Sequence, residues 1–125
     1  NCNLGDETTS KVAGALHANT TLMKLDLRSN EIEADGAAAL GAMMAANVRL
    51  VELSLRANSI PAAGAQGLSL GLASSRSITR LDLSSNRVGS SGATALAGAL
   101  RACPSLSDLA LGRNHIGDSG AAQLA

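Results

Sequence analysis

The sequence predicts an α/β solenoid, an arc with parallel strands on its concave side and helices on its convex side. Two observations carry this. First, the chain matches itself at a shift of 28 residues without slipping register. Leu25-Asp26-Leu27-Arg28-Ser29-Asn30 returns as Leu53 to Asn58, as Leu81 to Asn86 and as Leu109 to Asn114. Self-similarity at such a period marks stacked supersecondary units and overrides the reading of isolated segments. Second, the hydrophobic period changes inside each unit. Leu81-Asp82-Leu83 alternates as a half-buried strand does, while Ala93, Leu96 and Leu100 share one face of a helix.

Taken in order, the units are a partial one over 1–20, three whole ones over 21–48, 49–76 and 77–104, and a partial one over 105–125. They form a single domain. Because the chain starts and stops inside a unit, it is expected to belong to a longer solenoid whose flanking repeats cover its ends, and to self-associate when excised. In the first unit Cys2-Asn3-Leu4 lies 28 residues before Asn30-Glu31-Ile32, and Thr8 stands where later units have glycine. Short strands are expected near residues 24–28, 52–56, 80–84 and 108–112, with leucines such as Leu25 and Leu27 turned inward. After each asparagine come Ile32, Ile60, Val88 and Ile116, then glycines at 36, 64, 92 and 120. The glycines are expected to permit either a tight approach or a positive φ where the helix starts. Leu40 with Met44, Leu68 with Leu72 and Leu96 with Leu100 are the predicted helical core. Met43 and Met44 read as gap-fillers, not metal ligands.

An asparagine amide both donates and accepts. Asn30, Asn58, Asn86 and Asn114 are therefore read as structural posts that satisfy backbone groups in the bend after each strand, stacked as a ladder. Cys2 is a small buried substitute at the same position.

The pattern L-x-x-L-x-L-x-x-N-x-[IL] resembles the leucine-rich repeat signature. Leu22 to Ile32, Leu50 to Ile60 and Leu106 to Ile116 carry it in full, and Ile78 to Val88 has isoleucine first. The 28-residue unit with G-A-x-x-L on its helical side is similar to the ribonuclease-inhibitor subclass. That subclass includes the repeat domains of NOD-like receptors and of Ran GTPase-activating proteins. The resemblance implies a protein-interaction scaffold or recognition segment, either receptor-like or a structural part of a larger assembly. The alternative it implies is a GTPase activator of the Ran type, a family that also carries an acidic tail not seen in these residues.

Composition sets the bounds. Ten basic and ten acidic side chains cancel, which argues against nucleic acid and against a polybasic membrane anchor. Residues 1–47 hold six acidic and three basic side chains, and residues 48–125 hold four and seven, a mild axial gradient. No apolar run reaches the ~20 residues of a membrane helix. There is no Phe, Tyr or Trp, which a layered solenoid tolerates and a globular core of this size rarely does. Cys2 and Cys103 lie more than three units apart, too far for a disulfide. Free thiols point to a reducing, cytoplasmic location.

No catalytic, cofactor-binding or metal-binding constellation emerges, and no enzyme activity or cofactor is expected. His17 falls on an outer helix position and His115 on a rim loop, nearly four units apart. The glycines at Gly67 and Gly71 fall on a helix without the Lys-Ser of a phosphate loop.

The informative variation flanks the strand leucines on the concave face. One row down the stack is Lys24, Glu52, Arg80, Asp108, alternating in sign at every step. The next is Asp26, Ser54, Asp82, Ala110, and the third Arg28, Arg56, Ser84, Gly112. The bland reading is a solvated face whose charges quiet one another. The sharper one is a protein-binding face on which Arg28 and Arg56 are anchors, since arginine is favoured at hot spots.

Overall fold

The computed structural model describes residues 5–16, 21–103 and 105–114. Cys2, His17, His115, Gly120 and Leu124 lie outside them. Helix α1 (Asp6–Leu16) is followed by β1 (Lys24–Asp26), α2 (Ala34–Ala46), β2 (Glu52–Ser54), α3 (Ala62–Ser74), β3 (Arg80–Asp82), α4 (Gly89–Ala102) and β4 (Asp108–Ala110). The strands form one parallel sheet in the order β1-β2-β3-β4. Leu25, Leu53, Leu81 and Leu109 share one register row, as do Lys24, Glu52, Arg80 and Asp108. Each helix packs on the next, α1 on α2, α2 on α3 and α3 on α4.

The strands are three residues long, shorter than the alternation suggests. Pairing nevertheless continues past them. The N–H of Leu27 donates to the Ser54 carbonyl at 2.8 Å, and that of Ser29 to Arg56 at 2.9 Å. Leu55 and Ala57 repeat the pattern on Asp82 and Ser84. The ladder is interrupted by a tight reversal and resumes beyond it, where the Ser59 N–H donates to the Ile32 carbonyl and the Arg87 N–H to Ile60, both at 2.9 Å. Ser29, Ala57, Ser85 and Arg113, each just before a post asparagine, have φ of 59°, 56°, 59° and 58°.

The left-handed turn thus falls on non-glycine residues, and Gly64 and Gly92 after it do other work. A Cβ on Gly64 would sit 2.8 Å from Ile60 Cγ2 and 3.1 Å from Ala37 Cβ. On Gly92 it would sit 2.6 Å from Val88 Cγ1 and 3.1 Å from Ala65 Cβ. Both glycines let one helix start lie against the alanine of the preceding helix. Between α2 and α3 the approach is closer still. A Cβ on Gly71 would collide with the Gly41 carbonyl, and one on Gly67 would come within 2.9 Å of Ala38 Cα.

The core lies between sheet and helices. Leu53, Leu55, Leu81 and Leu83 of the sheet side, Ile32, Ile60 and Val88 after the turn, and Leu40, Leu68 and Leu96 of the helices are all buried. Removing such side chains from water contributes about 1.5–3 kcal/mol each. Aliphatic residues suffice because each layer is one residue thick. Met44 and Leu72 complete their layers, but Leu100, the counterpart in α4, is only half-buried, and Ala99 is buried beside it. Among the described residues no helix is long and apolar enough to cross a membrane.

Candidate protein-binding face

The asparagines that end the strands set the geometry of the concave face, because they hold the turns in register. Asn58 Nδ2 donates to the carbonyls of Leu27 at 3.0 Å and Leu55 at 2.9 Å. Its Oδ1 accepts from the N–H groups of Asn30 at 2.9 Å and Ile32 at 3.0 Å. Asn86 Nδ2 donates to Leu55, Leu83 and Ser84, and its Oδ1 accepts from Ile60 N–H at 3.1 Å. Asn114 does the same for Leu83, Leu111 and Val88. Each amide therefore bonds its own turn and reaches back to the turn of the preceding repeat. Asn30, Asn86 and Asn114 are buried, and Asn58 is half-buried.

A second series of polar side chains sits where each helix returns to its strand, at Asn47, Ser75 and Cys103, all buried. Asn47 accepts from the N–H groups of Arg49 and Leu50, both at 2.8 Å, and donates to the Leu16 carbonyl at 2.6 Å. Ser75 accepts one N–H, from Ile78 at 3.3 Å. The Cys103 thiol, unpaired, lies 3.7 Å from the Ser75 carbonyl. This second set of posts escaped the sequence reading because its side chains differ from repeat to repeat. The shared alignment at the helix-to-strand return was the available signal.

Between the two sets of turns lies the open face of the sheet, a shallow basin of about 430 Å³ lined by Lys24, Asp26, Glu52, Ser54, Arg80, Asp82 and Asp108. The row of alternating sign is a continuous chain of ion pairs. Lys24 Nζ is 3.7 Å from Glu52 Oε2, Glu52 Oε1 is 3.6 Å from an Arg80 terminal guanidinium nitrogen, and Arg80 Nε is 3.8 Å from Asp108 Oδ2. Glu52, with its side chain 32% exposed, is the least solvated of the four and bridges two cations. In the next rows Asp26 pairs with Arg28 at 3.1 Å, and Asp82 accepts the Ser84 N–H at 2.9 Å. Arg56 is exposed and takes part in no ion pair among the described residues. The two arginines that the sequence ranks alike are thus unlike in the fold: Arg28 is engaged by Asp26, while Ser54 stands at the position that would supply an acid to Arg56.

Among the described residues no group of three or more His, Cys, Asp or Glu is placed to hold a metal ion. Six of the face's charged groups are joined in ion pairs, while Arg56 is left to solvent and Asp82 holds the Ser84 N–H.

The family model described as Leucine Rich repeat matches residues 18–41, 74–97 and 102–125, more than half of the chain. Two solved structures are similar in fold. One, described as Leiomodin-1 Actin-Binding Site 2 (ABS2), is 23% identical with a TM-score of 0.79 over 85% of this chain and 62% of that one. The other, the tropomodulin C-terminal domain from Caenorhabditis elegans, is 15% identical with a TM-score of 0.80 over 93% and 72%. The chain thus spans less than two thirds of the leiomodin structure. No curated protein matches the sequence.

Proposed function

Since this chain belongs to the leucine-rich repeat family, we propose that it is a protein-interaction segment of a larger repeat protein and that its concave face is the binding surface. The observation that carries this reading is the chain of ion pairs from Lys24 to Asp108. It holds four charged side chains in one row on open strands, a pattern the core does not require. Electrostatic complementarity of this kind sets register and partner choice more than raw affinity. The leiomodin structure is of an actin-binding site, and from it the reading takes only the class of ligand, a protein. The 28-residue period and the G-A-x-x-L helical motif support placement in the ribonuclease-inhibitor-like subclass, with a recognition role of the NOD-like-receptor kind inside the cell. The role is binding, not catalysis.

Site-specific photo-crosslinking tests it. A crosslinking side chain at Ser54, on the concave face, is expected to give a discrete adduct in extract of the source cells. One at Ala42, exposed on the convex helix α2, is expected to give none. Adducts from Ala42 alone, or equally from both positions, refute the concave reading.

A further inference from the structure

We propose that the edge of the solenoid at the C-terminal ends of its strands docks an acidic protein segment through Arg56, Arg87 and Arg113. This rests on the protein-binding reading above and names the chemistry of the partner. Of the four cations of the concave face, Lys24, Arg28 and Arg80 each have a carboxylate partner, at 3.7, 3.1 and 3.6 Å. Arg56 has none among the described residues. Arg56 stands two residues before the post Asn58, Arg87 directly follows the post Asn86 and Arg113 directly precedes the post Asn114, so all three flank the turns at the C-terminal ends of the strands. Arg87 and Arg113 are exposed and, among the described residues, form no ion pair.

The three arginines come from three successive repeats. Two strand spacings of roughly 5 Å spread them over about 10 Å of the edge. An extended chain covers that distance in about three residues, so a short segment carrying closely spaced carboxylates reaches all three repeats. The planar guanidinium fork grips a carboxylate through two parallel N–H bonds, which makes arginine the fitting partner for aspartate and glutamate.

The charges around the arginines narrow the ligand. The floor of the basin presents Glu52, Asp82 and Asp108, which repel an acidic chain and turn it toward the edge. On the same edge, one repeat before Arg56, stands exposed Glu31. A long polyanion running the length of the solenoid meets these carboxylates, whereas a short acidic segment seated from Arg56 to Arg113 does not. The observations therefore favour a protein segment over nucleic acid or an anionic membrane.

Fluorescence anisotropy on the intact chain tests the proposal, with a labelled peptide of alternating Glu and Gly as probe and its Gln-for-Glu counterpart as control. The acidic peptide is expected to bind more tightly than the control, less so as salt rises. Exposed charge pairs contribute about two- to fivefold each, so combining Arg56→Gln, Arg87→Gln and Arg113→Gln is expected to weaken binding about tenfold. Arg49→Gln with Arg76→Gln, near the N-terminal ends of the strands, is expected to leave it unchanged, and circular dichroism is expected to show both variants folded.

Equal losses from the two variants, or none from the first, overturn the proposal. So does tighter binding of a single-stranded oligonucleotide or of phosphatidylserine vesicles at the same salt. Self-association that the triple substitution abolishes also overturns it, by assigning the edge to a second copy of the chain. The crosslinks through Ser54 do not depend on these arginines, so the concave reading and the acidic-partner reading fail separately.

Discussion

Replacing Asn86 by aspartate changes one amide nitrogen to oxygen and almost nothing else in shape. That nitrogen lies 2.9 Å from the Leu55 carbonyl, 3.0 Å from Leu83 and 3.3 Å from Ser84. The other side-chain atom faces the Ile60 N–H at 3.1 Å. Three acceptors on one side and a donor on the other determine which atom is nitrogen. In Asn86→Asp a carboxylate oxygen faces three carbonyl oxygens, with no donor to relieve it. The folded protein escapes by taking up a proton, so the new group has a higher pKa folded than its unfolded value of about 3.9. Proton uptake at pH 7 costs at most about 4 kcal/mol, from 1.36 kcal/mol per unit over about three units. The acid has one proton where the amide has two, which loses about one further hydrogen bond, near 1 kcal/mol.

The total, about 5 kcal/mol at pH 7, is comparable to the whole stability of many domains. The sign is definite. A raised carboxyl pKa penalises the folded state above pH 4, and the penalty grows with pH until the folded pKa is reached. At pH 5 the proton term falls to about 1.5 kcal/mol. Asn86→Ala, by contrast, leaves the Ile60 N–H unpaired and costs about 1–3 kcal/mol without added pH dependence. Ser84→Ala, on the open face, is expected to be near neutral. Urea midpoints at pH 5 and 7, referred to wild type at each pH, are the measurement. If Asn86→Asp tracks Asn86→Ala at both pH values, the amide does not face those carbonyls and the argument fails.

Other perturbations probe separate parts of the fold. Glu52→Lys puts three cations in a row with Lys24 and Arg80. It is expected to cost up to about 1 kcal/mol at low salt and less at high salt, because the flanking Lys24 and Arg80 side chains are largely solvated; an unchanged urea midpoint at low salt would show the row contributes nothing. Gly71→Ala drives a methyl into the Gly41 carbonyl and is expected to lower stability by about 1–3 kcal/mol or more. Gly98→Ala, with nothing within 4 Å, is expected to raise it by up to about 1 kcal/mol through helix propensity, and thermal melts separate the two signs. Asn47→Ala strips acceptors from two N–H groups and is expected to cost about 2–4 kcal/mol, whereas Ser75→Ala, losing one long bond, is expected to cost less than about 1 kcal/mol. Denaturant midpoints that reverse this order would mean the helix-to-strand return is held by something else.

The sequence by itself determined the solenoid, its 28-residue step and the row in which Lys24, Glu52, Arg80 and Asp108 meet. It did so because each repeat packs only on its neighbours. Equivalent positions then fall one strand apart, and the hydrophobic period within a repeat is enough to say which side chains face inward. What depends on distance rather than order was decided by the tertiary structure. The alternation could not show where the chain reverses after each strand, because the left-handed turn is made by Ser29, Ala57, Ser85 and Arg113, residues that do not advertise it. Gly64 and Gly92 read as possible turn residues, yet they serve close helix approach, a matter of ångströms between backbones. Leu100 aligns with buried Met44 and Leu72 but is half-exposed, since burial depends on what neighbouring layers cover it. Arg28 and Arg56 occupy equivalent positions, and the exchange of Asp26 for Ser54 two residues before them is written in the sequence; the structure decides that the Asp26 carboxylate turns onto Arg28 at 3.1 Å, because an ion pair depends on side-chain direction, which spacing does not specify.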